Sequence, residues 1–282
     1  MKTDTSLLFA LITVFIPAIN AATARAASIA NDGASATSLV AAPEAPVAGI
    51  AGDPNIDRGF IQPTAMTQPA HSLTYNNYEL LLHGLSYGIT DRLQASVTVL
   101  APIVEQMPFV GVASVKYRVL ATPRFHLALQ GSATMVSVSF HTSDAPDGSN
   151  TSNSSAYLFG AGAFASTCLR DDCSSLASVN VTYQFARSGD TDGTAHALVY
   201  GGSLVHRVAP HTKLLGEITS MAASDGSARG FDNVSGALLS YGVRLHTANI
   251  ASDIGFMKPI FSDVNDPFVL GLPFINVSYR WN

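Results

Sequence analysis

His141-Thr142-Ser143 is the spacing in this chain that comes nearest to nucleophilic catalysis. An imidazole beside a hydroxyl can take its proton and activate the oxygen for attack on an ester. No acid can be assigned to orient that histidine, and so loose a tripeptide arises often by chance, so no catalytic residue is assigned and the chain is read as a non-enzyme. Cys168 and Cys173 enclose Leu-Arg-Asp-Asp. At the ends of a short hairpin loop they would face each other within disulfide reach. The rival, a metal site completed by Asp171 and Asp172, lacks a histidine and a second cysteine pair, so the disulfide is favoured and no metal is expected. "GAGAFA" (160–165) matches a loose dinucleotide pattern but lies in a strand-like run with no helix after it. "DTDG" (190–193) lacks the closing glutamate of a calcium loop. Asp144, Asp147, Asp225, Asp232, Asp263 and Asp266 fall in loops where weak cation binding competes with simple solvation. No cofactor is expected.

A second set of polar residues sits on alternating positions inside otherwise apolar runs. Glu79, His83, Lys116, Arg118, His126, Gln130, Lys213, Glu217, Arg244 and Arg280 fall on the polar parity of such runs. If that parity lines an aqueous lumen, the excess of Lys and Arg would concentrate anions there. Alternatively these charges pair across the lumen, Glu217 with Lys213 or Glu79 with Arg118, and fill it.

The elements that would position these residues follow from the alternation. In "LQASVTVLA", Leu93, Ala95, Val97, Val99 and Ala101 share one face and Gln94, Ser96 and Thr98 the other. "LASVNVTYQF" sets Ala177, Val179, Val181, Tyr183 and Phe185 against Ser178, Asn180, Thr182 and Gln184. "FINVSYRW" sets Ile275, Val277, Tyr279 and Trp281 against Asn276, Ser278 and Arg280. About twelve such strands are expected, at 57–65, 72–87, 93–102, 110–120, 125–139, 156–167, 175–186, 195–206, 212–222, 233–246, 250–261 and 268–281. Short turns near Thr90-Asp91, 121–123, 168–173, 208–211 and 247–249 interleave with longer polar loops, the longest over 141–155.

Composition decides what the alternation means. The 282 residues are 47% hydrophobic and only 12% charged, with a net charge of −5 and no basic stripe, which excludes disorder and argues against a nucleic-acid partner. A soluble β-sandwich alternates too, but its solvent face carries many charged residues, and this chain has too few. If the apolar face meets lipid and the polar face a lumen, the low charge is accommodated. Closure then follows, because an open sheet edge in hydrocarbon would leave backbone groups unsatisfied at several kcal/mol each. Tyr75, Tyr78, Tyr87, Tyr117, Tyr279 and Trp281 fall near strand ends, where an interfacial girdle would sit. The fold class expected is a transmembrane antiparallel up-and-down β-barrel, residues 56–282.

The segments before it read as an address and a leader. Lys2 precedes the apolar run 7–19, and Ala24-Arg25-Ala26 offers a small-x-small cleavage pattern, so residues 1–26 are read as a signal peptide. The run is broken by Pro17 and falls short of the roughly 20 residues that cross a bilayer as a helix. Residues 27–55, rich in Ala, Pro, Gly and Ser, read as a flexible leader.

Ile275, Val277, Tyr279 and Trp281 resemble the C-terminal assembly signal of bacterial outer-membrane proteins, although the chain ends one residue later, at Asn282. Pro63-Thr64-Ala65, Asn76-Asn77 and Tyr87-Gly88-Ile89-Thr90-Asp91 are similar to the start of a group of bacterial outer-membrane, porin-like barrels. That likeness covers about an eighth of the chain and carries no activity. It implies the bacterial outer membrane as location, with outer-membrane lipid, lipopolysaccharide and, through the last strand, the barrel-assembly machinery as partners. His141 and Ser143 also resemble the His-x-Ser of outer-membrane lipid hydrolases. Three functions therefore stand: a passive channel for small polar or anionic solutes, a non-transporting structural or surface-contact barrel, and a lipid hydrolase using His141 and Ser143.

Overall fold

The computed structural model describes residues 52–100, 108–142, 150–188, 194–224, 232–261 and 270–281. Among them the chain forms twelve antiparallel strands that close on themselves. They are β1 (Leu73–Tyr78), β2 (Leu82–Gly88), β3 (Leu93–Leu100), β4 (Phe109–Ala121), β5 (Phe125–Thr142), β6 (Asn150–Cys168), β7 (Leu176–Ser188), β8 (Thr194–Ala209), β9 (Thr212–Ser224), β10 (Asp232–His246), β11 (Ile250–Phe261) and β12 (Leu272–Trp281). Each strand pairs with its sequence neighbours, and β1 pairs with β12, Leu73 opposite Trp281 and Tyr78 opposite Asn276. No sheet edge is left open, as a wall set in hydrocarbon requires.

The alternation read from sequence determines which side is which. Leu85, Val97, Leu129, Val179, Ile254 and Ile275 stand exposed on the outer face, while Thr98, Gln130, Ser178 and Asn276, at the opposite parity, are buried inside. An apolar outside around a polar inside inverts the arrangement of a soluble domain and is the polarity of a membrane-spanning barrel.

The strand count of twelve conceals two departures that offset each other. The run 72–87 is two strands, broken at residues 79–81 by a turn in which Glu79 (φ 54°) and Leu80 (φ 61°) adopt left-handed backbone. Glu-Leu-Leu carries no turn chemistry, so nothing in the sequence marks the break. The run 57–65, expected to be the first strand, is not one: its sole bridge joins Arg58 to Pro63, around a turn closed by Gly59 N–H donating to the Gln62 carbonyl (2.9 Å). Pro63 has no N–H to give a ladder, and the polar groups of this stretch find partners inside the barrel instead.

Residues 52–72 fold into the lumen. They enter at the end where β1 begins, β12 finishes and the short turns lie, reach the level of Glu217 on β9, and return to start β1. Asp53, Asn55, Phe60, Thr64, Ala65 and Met66 are all completely buried. Residues 52–55, which the composition of the leader would leave flexible, belong to this inserted plug.

Candidate functional site

The plug is seated on two kinds of contact. The first is apolar. Ile56, Phe60 and Met66 pack in one cluster with Leu176, Val205, Leu215, Met257 and Phe274, and the Phe60 and Phe274 rings lie 4.8 Å apart. These wall residues occupy inward positions where water would otherwise be met, so burying them against the plug removes apolar surface from solvent.

The second is a charged cluster near the short-turn end. Lys213 Nζ donates to Asp53 Oδ2 at 2.5 Å and Arg244 Nη1 to the same oxygen at 3.2 Å. Arg244 also grips Asp253 in bidentate fashion, at 2.6 and 3.0 Å, and donates to the Asn55 carbonyl at 2.8 Å. Two cations thus face two carboxylates, all four fully buried, the arrangement that makes a desolvated ion cluster tolerable. Burial alone would raise the Asp53 carboxyl, but Arg244 and Lys213 outweigh it and hold that carboxyl far below the usual carboxylate range.

The tip is held differently. Glu217 Oε1 accepts the Phe60 N–H at 2.5 Å, Oε2 accepts the Ile61 N–H at 2.9 Å, and the Gln62 N–H lies 3.1 and 3.2 Å from the two oxygens. Three successive amides converging on one carboxylate make an anion nest, filled here by the barrel wall. A Cβ at Gly59 would take the space of Glu217 Oε1, so any larger residue there would push the carboxylate off the tip. Opposite, Lys116 Nζ donates to the Asp57 and Thr64 carbonyls (3.0 and 3.2 Å), and Gln94 binds Asp57 Oδ2 (2.6 Å) and the Gln68 N–H (2.9 Å).

Eight of the ten polar candidates face inward and are buried: Lys116, Arg118, His126, Gln130, Lys213, Glu217, Arg244 and Arg280. Six belong to the lower lumen's network of plug and turns. Arg118 donates to the Asp91 carbonyl (2.8 Å), and Arg280 to the Asp53 and Ala248 carbonyls (3.2 and 2.9 Å). His126 lies beside the disulfide, with Nε2 3.6 Å from Cys168 Sγ. Gln130 lines a polar cavity described below.

Two candidates need correction. His83 faces outward, exposed, with Nδ1 2.7 Å from the Tyr75 hydroxyl; it shares the outward parity of Leu85 and Tyr87, while Gly84 and Ser86 face the lumen. Glu79 is exposed in that turn, where its carboxylate accepts the Ile275 N–H at 2.5 Å and extends the β1–β12 seam. The expected pairing of Glu217 with Lys213 gives way to separate contacts with the plug. Cys168 and Cys173 form the disulfide, while Asp171 and Asp172 pair with Arg124 and Arg207. The Ser174 hydroxyl, donating to Asp172, lowers that loop carboxyl's pKa, with Arg207 contributing. The His141 side chain and Ser143 lie outside the described residues.

Beside the plug a gap remains. A polar cavity of about 60 Å³ runs between Asp57, Arg58 and Pro63 and the wall of β1–β5, where Asn76, Ser96, Thr98, Ser114, Lys116 and Gln130 line it. Its volume suits a few waters or a small ion.

No protein-family model matches the sequence, and no curated protein matches it. Among solved structures it is similar in fold to the outer-membrane expressed OmpT of Vibrio cholerae (10% identity, TM-score 0.42, covering 71% of this chain and 64% of that one). It is likewise similar to a loop-deletion variant of that protein (12%, TM-score 0.43, 71% and 62%) and to the NanC porin (8%, TM-score 0.42, 74% and 97%). The chain therefore spans somewhat less than two thirds of the length of the two OmpT chains.

Proposed function

We propose that this chain is a bacterial outer-membrane barrel that passes small polar or anionic solutes through a lumen narrowed by its own N-terminal segment. The observation that carries this reading is the polar cavity between the plug and the β1–β5 wall, bordered by the Lys116 ammonium. A wall of hydroxyl and amide side chains replaces the hydration of a small solute without binding it tightly, which is what passage requires. The apolar outer face supports outer-membrane lipid as the surrounding partner, with acyl chains against Leu85, Val97 and Ile254.

The test is a planar-bilayer recording of the refolded chain. Small stepwise conductance with an anion-biased reversal potential supports the proposal, and silence across voltages and solutes overturns it. A non-conducting envelope barrel is the second reading, favoured by the Asp53 contacts that withdraw Lys213 and Arg244 from the aqueous path. Its signature is silence even after the plug is removed.

A further inference from the structure

Cys168 ends β6 at an inward position, and Cys173 lies in the β6–β7 turn with left-handed backbone (φ 50°). Their disulfide spans Cα atoms 4.6 Å apart. His126, near the start of β5, is paired with Ser166, so its ring lies diagonally across the sheet from Cys168. The approach to Cys168 Sγ is 3.6 Å. One ligand atom from each of the three residues lies within 4.8 Å of the others, and all three side chains are buried. His126 Nδ1 has no hydrogen-bond partner among the described residues. A structural disulfide needs no imidazole beside it, and a buried ring nitrogen without a partner is costly.

We propose that, with the disulfide open, Cys168, Cys173 and His126 bind one thiophilic divalent ion of the zinc class. Opening requires a dithiol donor: two electrons pass to the S–S bond, which becomes two thiols, and the donor leaves as its own disulfide. On binding, the ion displaces both thiol protons to solvent, giving two thiolates and a neutral imidazole as ligands, with water in the fourth position. The two thiolates neutralise the ion, which matters because the Arg118 guanidinium acts electrostatically on His126 from the neighbouring strand. Asp171 and Asp172 are not needed as ligands, being paired with Arg124 and Arg207. Disulfide and ion exclude each other, because the bond consumes the sulfur donors. The site therefore reports the redox state at the end of the barrel where the short turns lie.

Sequence spacing pointed away from metal because no histidine lies near the cysteines in the chain. The β5–β6 register supplies one.

The experiment refolds the full chain into detergent micelles with a phosphine reductant, which does not compete for the ion as a dithiol would, and titrates Co²⁺ as the probe. The expected result is one Co²⁺ per chain with a thiolate charge-transfer band and tetrahedral d–d absorption, displaced by Zn²⁺ and lacking in the oxidised protein. His126→Gln should weaken binding by at least about tenfold, with β-sheet circular dichroism unchanged. Because reduction could loosen the β6–β7 turn, a Cys168→His/Cys173→His variant tests the geometry with no reductant and should bind Zn²⁺ in air. Reduced wild type that binds no Co²⁺, a His126→Gln variant that binds as tightly as wild type, or a double variant that fails to bind Zn²⁺ would each overturn the proposal.

Discussion

Lys213 Nζ lies 2.5 Å from Asp53 Oδ2, both side chains withdrawn from solvent, across 160 residues of chain. This contact, with Arg244 on the same oxygen, fastens the start of the inserted segment to β9 and β10. Asp53→Ala leaves Asp253 to hold Arg244 but takes the carboxylate from Lys213. Uncompensated burial of that ammonium should cost about 3–5 kcal/mol. Urea unfolding in micelles measures the loss, and thermolysin should cut within 53–72 in the variant while sparing the wild type.

The same contact fixes a pH response. The folded-state pKa of Asp53 is depressed, so its stabilisation is complete above the unfolded-state value and lost as pH falls through the folded one. The part of the bilayer conductance that depends on Asp53, read as the difference between wild type and Asp53→Asn, should therefore be constant from neutral pH down to about 4, the ordinary carboxylate range, and vanish only in stronger acid as the plug loosens. Asp53→Asn should show the loosened level at every pH.

Glu217→Gln tests the hold on the tip. The amide would turn an NH₂ donor toward the N–H groups of Phe60, Ile61 and Gln62, where a carboxylate now accepts all three. The expected loss is about 1.5–3 kcal/mol per charge-assisted bond effectively removed, and Glu217→Asp should not restore it because the shorter side chain falls away from the tip. Hydrogen exchange at the amides of 60–62 is the readout.

Gly242 gives room to the Phe60 ring. A Cβ there would stand 2.9 Å from Phe60 Cε2 and against the β11 backbone, so Gly242→Ala should destabilise by about 1–3 kcal/mol. A double-mutant cycle with Phe60→Ala separates the two contacts: the ring's share of the cost should vanish and the backbone share should persist.

The wall was legible in the sequence because burial on one face imposes a period of two over whole strands, as at Gln94–Thr98 and Leu176–Phe185. A single misplaced parity there would turn every side chain, so neighbouring residues enforce one another. The plug was not legible, because "FIQPTA" imitates strand alternation while its real partners are Glu217, Lys116 and Ser166, far away in sequence. One signal was present: Val205, Leu215, Met257 and Phe274 put apolar side chains on the lumen parity, which an open aqueous lumen would not favour. The turn at Glu79–Leu81 left no signal, since its left-handed residues are neither Gly nor Asn. The outward side of His83 was legible all the same, because it shares the parity of the apolar Leu85 and Tyr87.

The most direct test compares single-channel conductance of the full chain with that of a variant lacking residues 53–68, both refolded in micelles and checked for β-sheet content. Removing the segment frees Lys116, Lys213 and Arg244 from their plug contacts. The deletion should then give steps several-fold larger than wild type, with a stronger anion bias. Equal conductance and equal selectivity in the two proteins would contradict the account.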